Sequence, residues 1–417
     1  MSSQQRTNDS ETLEYFVGVD LGGEQHAISV ISSAGRLVGK RTFPHSGPGL
    51  EELVAWLRQQ TGDDSSVVAV AMENPHGALC EALLGRNYSV YAINPKQLDR
   101  FRDRFSMAGA KDDARDAFVL AQSLRTDRSC FRLLQIDHPK LLHLRELSHG
   151  WDRTRQELRR TANQLNDLMR RYFPSLLTLC PGSDELWLWS LLALAPLPED
   201  AARIRRSRLE AIVKKHRIRR FSVSELQQVL RIPALPLAPG TARAIAEQAV
   251  LLLPRLVLLH QQTQQLDKRI EALLDELADD ESYQEHRDVT ILRSIPGVGK
   301  GFTAAVLSEA ARPLADRDYR AIRGLAGIAP VTKQSGKTRL ISMRQACNRR
   351  LRLALHHASA SHVRNDARAQ LHYQKLRQKG HTHGRALRGV ADRLLALLIA
   401  MLKTQTSYNP ELRTVSS

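Results

Sequence analysis

Cysteine is scarce in this chain of 417 residues, and its four copies, Cys80, Cys130, Cys180 and Cys347, stand far apart. No C-x-x-C pair occurs, so neither a zinc ribbon nor a disulfide framework has support, and a reducing cytoplasm fits. Long apolar runs are missing too. The longest, LWLWSLLALAPL and LLALLIAML, fall well short of the roughly 20 residues of a membrane span, and each reads as a buried helix. The opening MSSQQRTNDSETLE has no apolar core, which argues against a signal peptide. Negative charge is also short. Lys and Arg number 61 against 44 Asp and Glu, a net charge of +17, which excludes a neutral metabolic enzyme as the default and points to a polyanionic partner.

The composition is otherwise that of a folded soluble protein, 42% apolar and 25% charged, and the length suits two or three domains. The excess charge is localised. Residues 1–140 hold 16 basic and 18 acidic side chains, residues 141–290 hold 22 and 20, and residues 291–417 hold 23 and 6. A basic segment beside a slightly acidic one suggests one part that grips phosphate and another with a different task.

From residue 15, YFVGVD, HAISVIS and LVGKRTF read as three strands, with SAGR as a turn. LEELVAWLRQQ is a helix, SVVAVAME a buried strand, HGALCEALLGR a short helix and SVYAIN another strand. PKQLDRFRDRF, with Pro95 at its start, and KDDARDAFVLAQSLR are helices. The sum is a mixed α/β domain. Beyond it, Leu144, Leu147, Trp151, Thr154, Leu158, Thr161, Leu165, Leu168 and Tyr172 are spaced by threes and fours, as are Leu256, Leu259, Thr263, Leu266, Ile270, Leu273 and Leu277. These heptad seams fit either one helical hairpin or a coiled coil between chains. An irregular stretch between them carries Arg203, Arg205, Arg206, Arg208, Lys214, Lys215, Arg217, Arg219 and Arg220, then the proline-rich linker IPALPLAPG.

Four carboxylates of the first domain stand out. Asp20 ends the first strand, Glu73 ends SVVAVAME, and Asp113 and Asp116 lie three apart on one helix face. Each alone is more often a turn or helix cap. Together, strand ends and a helix face can gather them at one sheet edge, where divalent cations relieve their repulsion and serve phosphoryl transfer. VGVDLGGEQHAISVISSAGRLV also resembles the first phosphate loop of sugar kinases of the actin-like fold. The second phosphate loop and the adenosine loop of an ATP-dependent kinase are absent after residue 140, which makes that alternative the weaker one.

In the basic segment, SIPGVGKGFTAAVLSE reads as a helix-hairpin-helix in which Gly297, Gly299 and Lys300 can meet phosphate. Ser335 lies in QSGK, a polar loop flanked by Lys333, Lys337 and Arg339. Its hydroxyl needs a base or a metal to act as a nucleophile. Arg344, Arg349, Arg350 and Arg352 are dense and lack interleaved aromatics, a pattern for phosphate contact more than base readout. His356 and His357 are adjacent, so they point in different directions, and with no nearby cysteine they argue against a metal site; His381 and His383 read as surface residues, not ligands.

VGVDLGG, AMENP, INPKQLDRFR with KDDARDA, IPGVGKGFTAA, GLAGIAP, QSGK and NRRLRLAL occur in this order. The set resembles the DEDD-type transposases of bacterial insertion sequences, the family of the Piv-like DNA invertases and the bridge-RNA-guided recombinases, over residues 15–408. The resemblance implies a ribonuclease-H-like domain of the Holliday-junction-resolvase (RuvC) type at 15–140, a coiled-coil connector at 141–290 and a mainly helical transposase domain at 291–408. A disordered start (1–14) and a tail (409–417) flank them. It implies a metal quartet of Asp20, Glu73, Asp113 and Asp116 for Mg2+ or Mn2+, and Ser335 as a nucleophile that joins covalently to DNA. It further implies donor and target DNA as partners, a noncoding bridge RNA as guide, a homodimer or homotetramer with metals supplied in cis or from another subunit, and a nucleoid-associated cytoplasmic location without membrane contact. Asp112 stands where the family has Ser or Thr, so Asp112 and Asp113 are both candidate ligands. Cys347 replaces a family glycine before the Asn-x-x-Leu-Arg segment. A binding protein that holds nucleic acid or a junction without strand transfer is the alternative.

Overall fold

The computed structural model describes residues 13–73, 77–93, 95–105, 112–134, 138–238, 240–336 and 338–410. Residues 1–12 of the expected disordered start and 411–417 of the expected tail lie outside them. The chain divides into two compact units, residues 1–137 and 138–417.

The first unit is built on a six-stranded sheet. Strands β1 (Tyr15–Leu21), β2 (Gln25–Ser32) and β3 (Leu37–Pro44) form an antiparallel meander, and β4 (Val68–Glu73) and β5 (Ser89–Ile93) add in parallel beside β1. The short β6 (Arg132–Leu133) closes the order β3-β2-β1-β4-β5-β6. This is the ribonuclease-H-like arrangement expected from the sequence. The central strands are buried on both faces, so their side chains sort by alternation. Val17 and Val19 of β1 and Val68, Val70 and Met72 of β4 join a core with Leu53, Val54 and Leu57 of α1 (Gly47–Thr61) and Leu79 and Leu83 of α2 (Ala78–Leu84). Phe16, Ala69 and Ala71 point the other way, onto Val119, Leu120, Ala121 and Leu124 of α4 (Asp113–Thr126). α3 (Pro95–Phe105) lies between β5 and α4 in the chain and seats Leu98 in that second core.

Gly18 explains how α4 lies flush on the sheet. A Cβ at this position would stand 1.8 Å from the Ala117 carbonyl oxygen and 2.6 Å from the Ala121 nitrogen. Only glycine lets the helix backbone come so close.

The second unit is organised by two long helices, α5 (Pro139–Tyr172) and α10 (Thr241–Ala278). Leu141 and Leu144 of α5 share a core with Ile270, Leu273 and Leu277 of α10, while Leu165 and Met169 share another with Ala249, Leu253 and Leu256. The pair is therefore antiparallel, and the two heptad seams meet within one chain. An Arg255–Glu157 ion pair of 2.6 Å spans them. Between the two cores the seam thins: Leu147, Trp151, Thr154 and Leu158, and Thr263 and Leu266 opposite, are only half-buried.

At one end the hairpin carries α6 (Leu186–Leu194), α7 (Pro198–Ala202), α8 (Arg206–Lys215) and α9 (Val223–Leu230). The sequence had suggested irregular structure here. These helices are short, and α6 is apolar at every position but Ser190, so periodicity carries no signal for them. At the other end lie α11 (His286–Arg293), α12 (Lys300–Glu309), α13 (Ala311–Ala315), α14 (Tyr319–Leu325), α15 (Arg349–Asn365), α16 (Ala367–Gln378) and α17 (His383–Thr404). Strands β7 (Val331–Ser335) and β8 (Thr338–Ser342) form a hairpin between α14 and α15. No helix among the described residues is long and apolar enough to cross a membrane.

Candidate active site

The sheet's alternation places Asp20 on the face of Phe16 and Gly18, and Glu73 on the face of Ala69 and Ala71. Parallel pairing aligns Val19 with Met72, so Asp20 and Glu73 sit at the same strand-end edge, both toward α4. Ala117 rests over Gly18, which brings the preceding turn of α4, with Asp113 and Asp116, over Asp20. Carboxyl ends of parallel strands are where ligand sites of such sheets lie.

The electrostatics show the convergence. The Asp20 carboxyl is pushed up to about 6, first by burial, then by the charges of Asp113, Asp116 and Glu73, with Arg102 opposing. Asp112 is not among the main charges that act on Asp20. It is exposed and caps α4, accepting a hydrogen bond from the Ala114 amide at 3.4 Å. Its position is that of a helix cap, as Ser or Thr would be.

Arg102 of α3 is the residue that sequence reasoning missed. Its Nε and Nη2 donate to the two oxygens of buried Asp116 at 2.9 and 2.8 Å, its Nη1 to Asp99 at 2.6 Å, and its Nη2 stands 3.6 Å from Glu73. Nothing in DRFRDR marks this arginine from its neighbours, because only the folded helix decides which one faces the carboxylates. The donor set fits a hard divalent cation: four carboxylate side chains against one guanidinium leave unbalanced negative charge. No three of these carboxylates bring their oxygens within 4.8 Å of one another, with the Arg102 guanidinium among them.

Ser335 is the last residue of β7 and pairs with Thr338 across the hairpin. It is exposed, and among the described residues no histidine or carboxylate hydrogen-bonds its Oγ. The expected loop is thus the tip of a β-hairpin, a form hidden by its polar, glycine-containing sequence. Arg339 is exposed on the opposite strand. Lys337 and the Lys333 side chain lie outside the described residues.

Several cations expected to meet phosphate are engaged within the fold. Lys300 is held by Asp267 at 2.7 Å and Glu271 at 3.2 Å on α10. Arg350 binds Asp152 at 2.6 Å, Ser148 at 2.6 Å and the Glu309 carboxylate. Arg352 donates to the Arg344 carbonyl, and both guanidinium groups are half-buried. Arg349 remains exposed. Gly297 adopts φ +79°, and a Cβ there would lie 2.8 to 2.9 Å from the backbone of Ser361 and His362. His362 Nδ1 bonds the Pro296 carbonyl at 2.8 Å. This glycine therefore serves packing onto α15. Gly299 caps α12, and a Cβ at this position would meet nothing within 4 Å.

Comparisons with known proteins agree with this layout. A family model for DEDD transposases of the IS110 group, described as "Transposase", matches residues 17–174, and one described as "Transposase IS116/IS110/IS902 family" matches 289–374. The putative transposase y4uE of Sinorhizobium fredii is 46% identical over 211 residues, 49% of this chain and 58% of that protein. The mini-circle putative transposase for IS117 of Streptomyces coelicolor is 29% identical over 412 residues, 96% of this chain and 97% of that protein. A 43.6 kDa protein of insertion element IS110 from the same organism is 27% identical over 410 residues, 96% of each chain. The family implies DNA as partner and a divalent metal. With the ribonuclease-H-like sheet and both family segments in place, the chain belongs to the IS110 family of DEDD transposases, enzymes of phosphoryl transfer.

Proposed function

We propose that this protein cuts and rejoins DNA strands through a serine–DNA covalent intermediate, with Asp20, Glu73, Asp113 and Asp116 as the metal-holding set. The observation that carries the reading is the Asp20 carboxyl, raised to about 6 by burial and by three neighbouring carboxylates, a field that one arginine does not neutralise. Mg2+ or Mn2+ would be held by these four side chains and would supply charge stabilisation at the reacting phosphodiester. Asp112 caps its helix and takes no part.

The nucleophile in this reading is Ser335 Oγ. Its bond to phosphorus forms as one phosphorus–oxygen bond to deoxyribose breaks; the serine proton leaves to a base and the departing oxygen takes one up. The phosphodiester count is conserved, so the second transfer can run without a nucleotide cofactor. The exposed hairpin tip gives the hydroxyl access to a bulky substrate. Among the described residues no base meets the hydroxyl, and in this reading it stays unreactive until DNA is engaged. A noncoding bridge RNA as guide and a homodimer or homotetramer as working unit belong to the same reading.

The test is a strand-transfer assay on the element's own end sequences, with denaturing gels to detect protein joined to DNA. Wild-type protein with Mg2+ should form adducts and Ser335→Ala none, while Glu73→Gln should bind DNA without cutting it. Adducts that persist in Ser335→Ala would overturn the serine; binding without transfer in the wild type would favour a junction-binding protein.

A further inference from the structure

We infer that the four-helix cap on the end of the α5–α10 hairpin is a separate nucleic-acid-binding surface, one that grips the phosphodiester backbone of a duplex or folded strand. The surface is α8 with its flanking turns. Residues 203–220 hold nine Lys and Arg side chains and a single carboxylate, Glu210, while residues 184–200 just before them hold four carboxylates and no Lys or Arg. Charge in this module is segregated, where interleaving would have neutralised it.

All nine cations are exposed. Arg206 pairs with Glu210 and Arg220 with Glu185. Among the described residues the other seven, Arg203, Arg205, Arg208, Lys214, Lys215, Arg217 and Arg219, have no ion pair. Three of the arginines oppose local stability. Arg205, Arg206 and Arg208 cluster at the start of α8, which has no acidic residue in its first turn, and the helix dipole disfavours cations there. A sequence that accepts such a conflict on an exposed surface points to a use for the charge.

The platform beneath is ordered. Leu209 and Ile212 anchor α8 in a core with Trp187, Trp189, Phe221 and Leu226. Trp187 and Phe221 meet edge to face at 5.1 Å. Arg220 ties the following turn to the Leu179 carbonyl at 2.7 Å, and Ser222 and Glu225 form a capping box that starts α9. The aromatic residues here are buried, so base stacking has no platform and the surface suits backbone phosphate. It is distinct from the C-terminal basic module. Leu144 belongs to the core at that end and Leu165 to the core at this one, a helical separation of about 30 Å at ~1.5 Å per residue.

The experiment uses the full-length protein with Arg205, Arg208, Lys214 and Lys215 each changed to Gln. Binding to a mixed-sequence DNA duplex and to an RNA hairpin with as many phosphates is followed by fluorescence anisotropy across a NaCl series. We expect the slope of log affinity against log salt to become shallower by about 3, and affinity at ~0.15 M salt to fall about tenfold or more. A fall confined to DNA or to RNA identifies the source of the phosphate. Unchanged slopes with both probes would overturn the proposal. If circular dichroism shows that this variant has lost helix, Arg203→Gln, Arg217→Asn and Arg219→Gln, which spare α8, carry the same test by the same criterion. Ser335→Ala should keep the wild-type slopes, so failure of this surface and failure of the serine chemistry are told apart.

Discussion

Asp20 and Ser335 both sit at the end of a strand, yet their settings differ. Asp20 is fixed by the sheet register, by Gly18 letting α4 lie on the sheet, and by Arg102 holding Asp116 in place. Ser335 ends a two-stranded hairpin whose Leu340 and Ile341 are 58% and 59% exposed. One position is over-determined by packing and the other is defined almost wholly by its own ladder. A metal site needs carboxylates preorganised against their mutual repulsion. A nucleophile that must reach a phosphodiester within a duplex needs projection more than burial.

The largest effect should come from the least packed position. We expect Ser335→Ala to lower strand transfer by about 10³-fold or more, as loss of a covalent nucleophile does, while leaving thermal unfolding in place. A Ser335→Ala protein that unfolds early would show that the hairpin is integral to the core and would break the contrast. Gly18→Ala should do the reverse. The added methyl meets backbone, so we expect a loss of about 3 kcal/mol, at the upper end of overpacking costs, read as a lower denaturant midpoint. Strand transfer should fall with it, since α4 carries Asp113 and Asp116.

Much of the first unit was legible because its signals are local. Alternating strands, turn residues and Asp20, Glu73, Asp113 and Asp116 at strand ends and on one helix face are visible in the chain. Arg102 was not, because its role depends on which way α3 faces after folding. The short helices α6 to α9 were missed because too few residues define a period. The β7–β8 segment reads as loop in the sequence because both faces of the hairpin are exposed, so no apolar alternation marks it. The ion pairs of Lys300 and Arg350 are illegible for a related reason: a sequence shows charge but not the carboxylates of α5, α10 and α12 that meet it.

Arg102 sharpens the comparison from the metal side. Its guanidinium is a cation that the structure places against Asp116 and Glu73. Arg102→Gln strands a buried carboxylate, and we expect a loss of about 2 kcal/mol, discounted from the cost of breaking a fully buried pair because the arginine is partly exposed. Mg2+ should then raise the unfolding temperature more in the variant than in the wild type, since an ion that binds the folded state stabilises it by mass action. Equal shifts in the two proteins would mean that Arg102 does not compete for the oxygens proposed to hold the metal.

Leu340→Thr should have the smallest effect and is the closest test of the hairpin. Leu340 pairs in register with Lys333 and is largely exposed, so its removal takes away little buried area, and β-branched threonine suits a strand. We expect stability to change by less than about 0.5 kcal/mol, the range of exposed sites remote from special features, as measured by chemical denaturation without DNA. The informative arm is strand transfer on DNA. If the hairpin projects into its substrate, an exposed leucine five residues after the proposed nucleophile becomes covered, and the substitution should weaken strand transfer while the free protein stays unchanged. A clear loss of stability in the free protein would mean that Leu340 is already packed, and that the serine end of the comparison is as built-in as the carboxylate end.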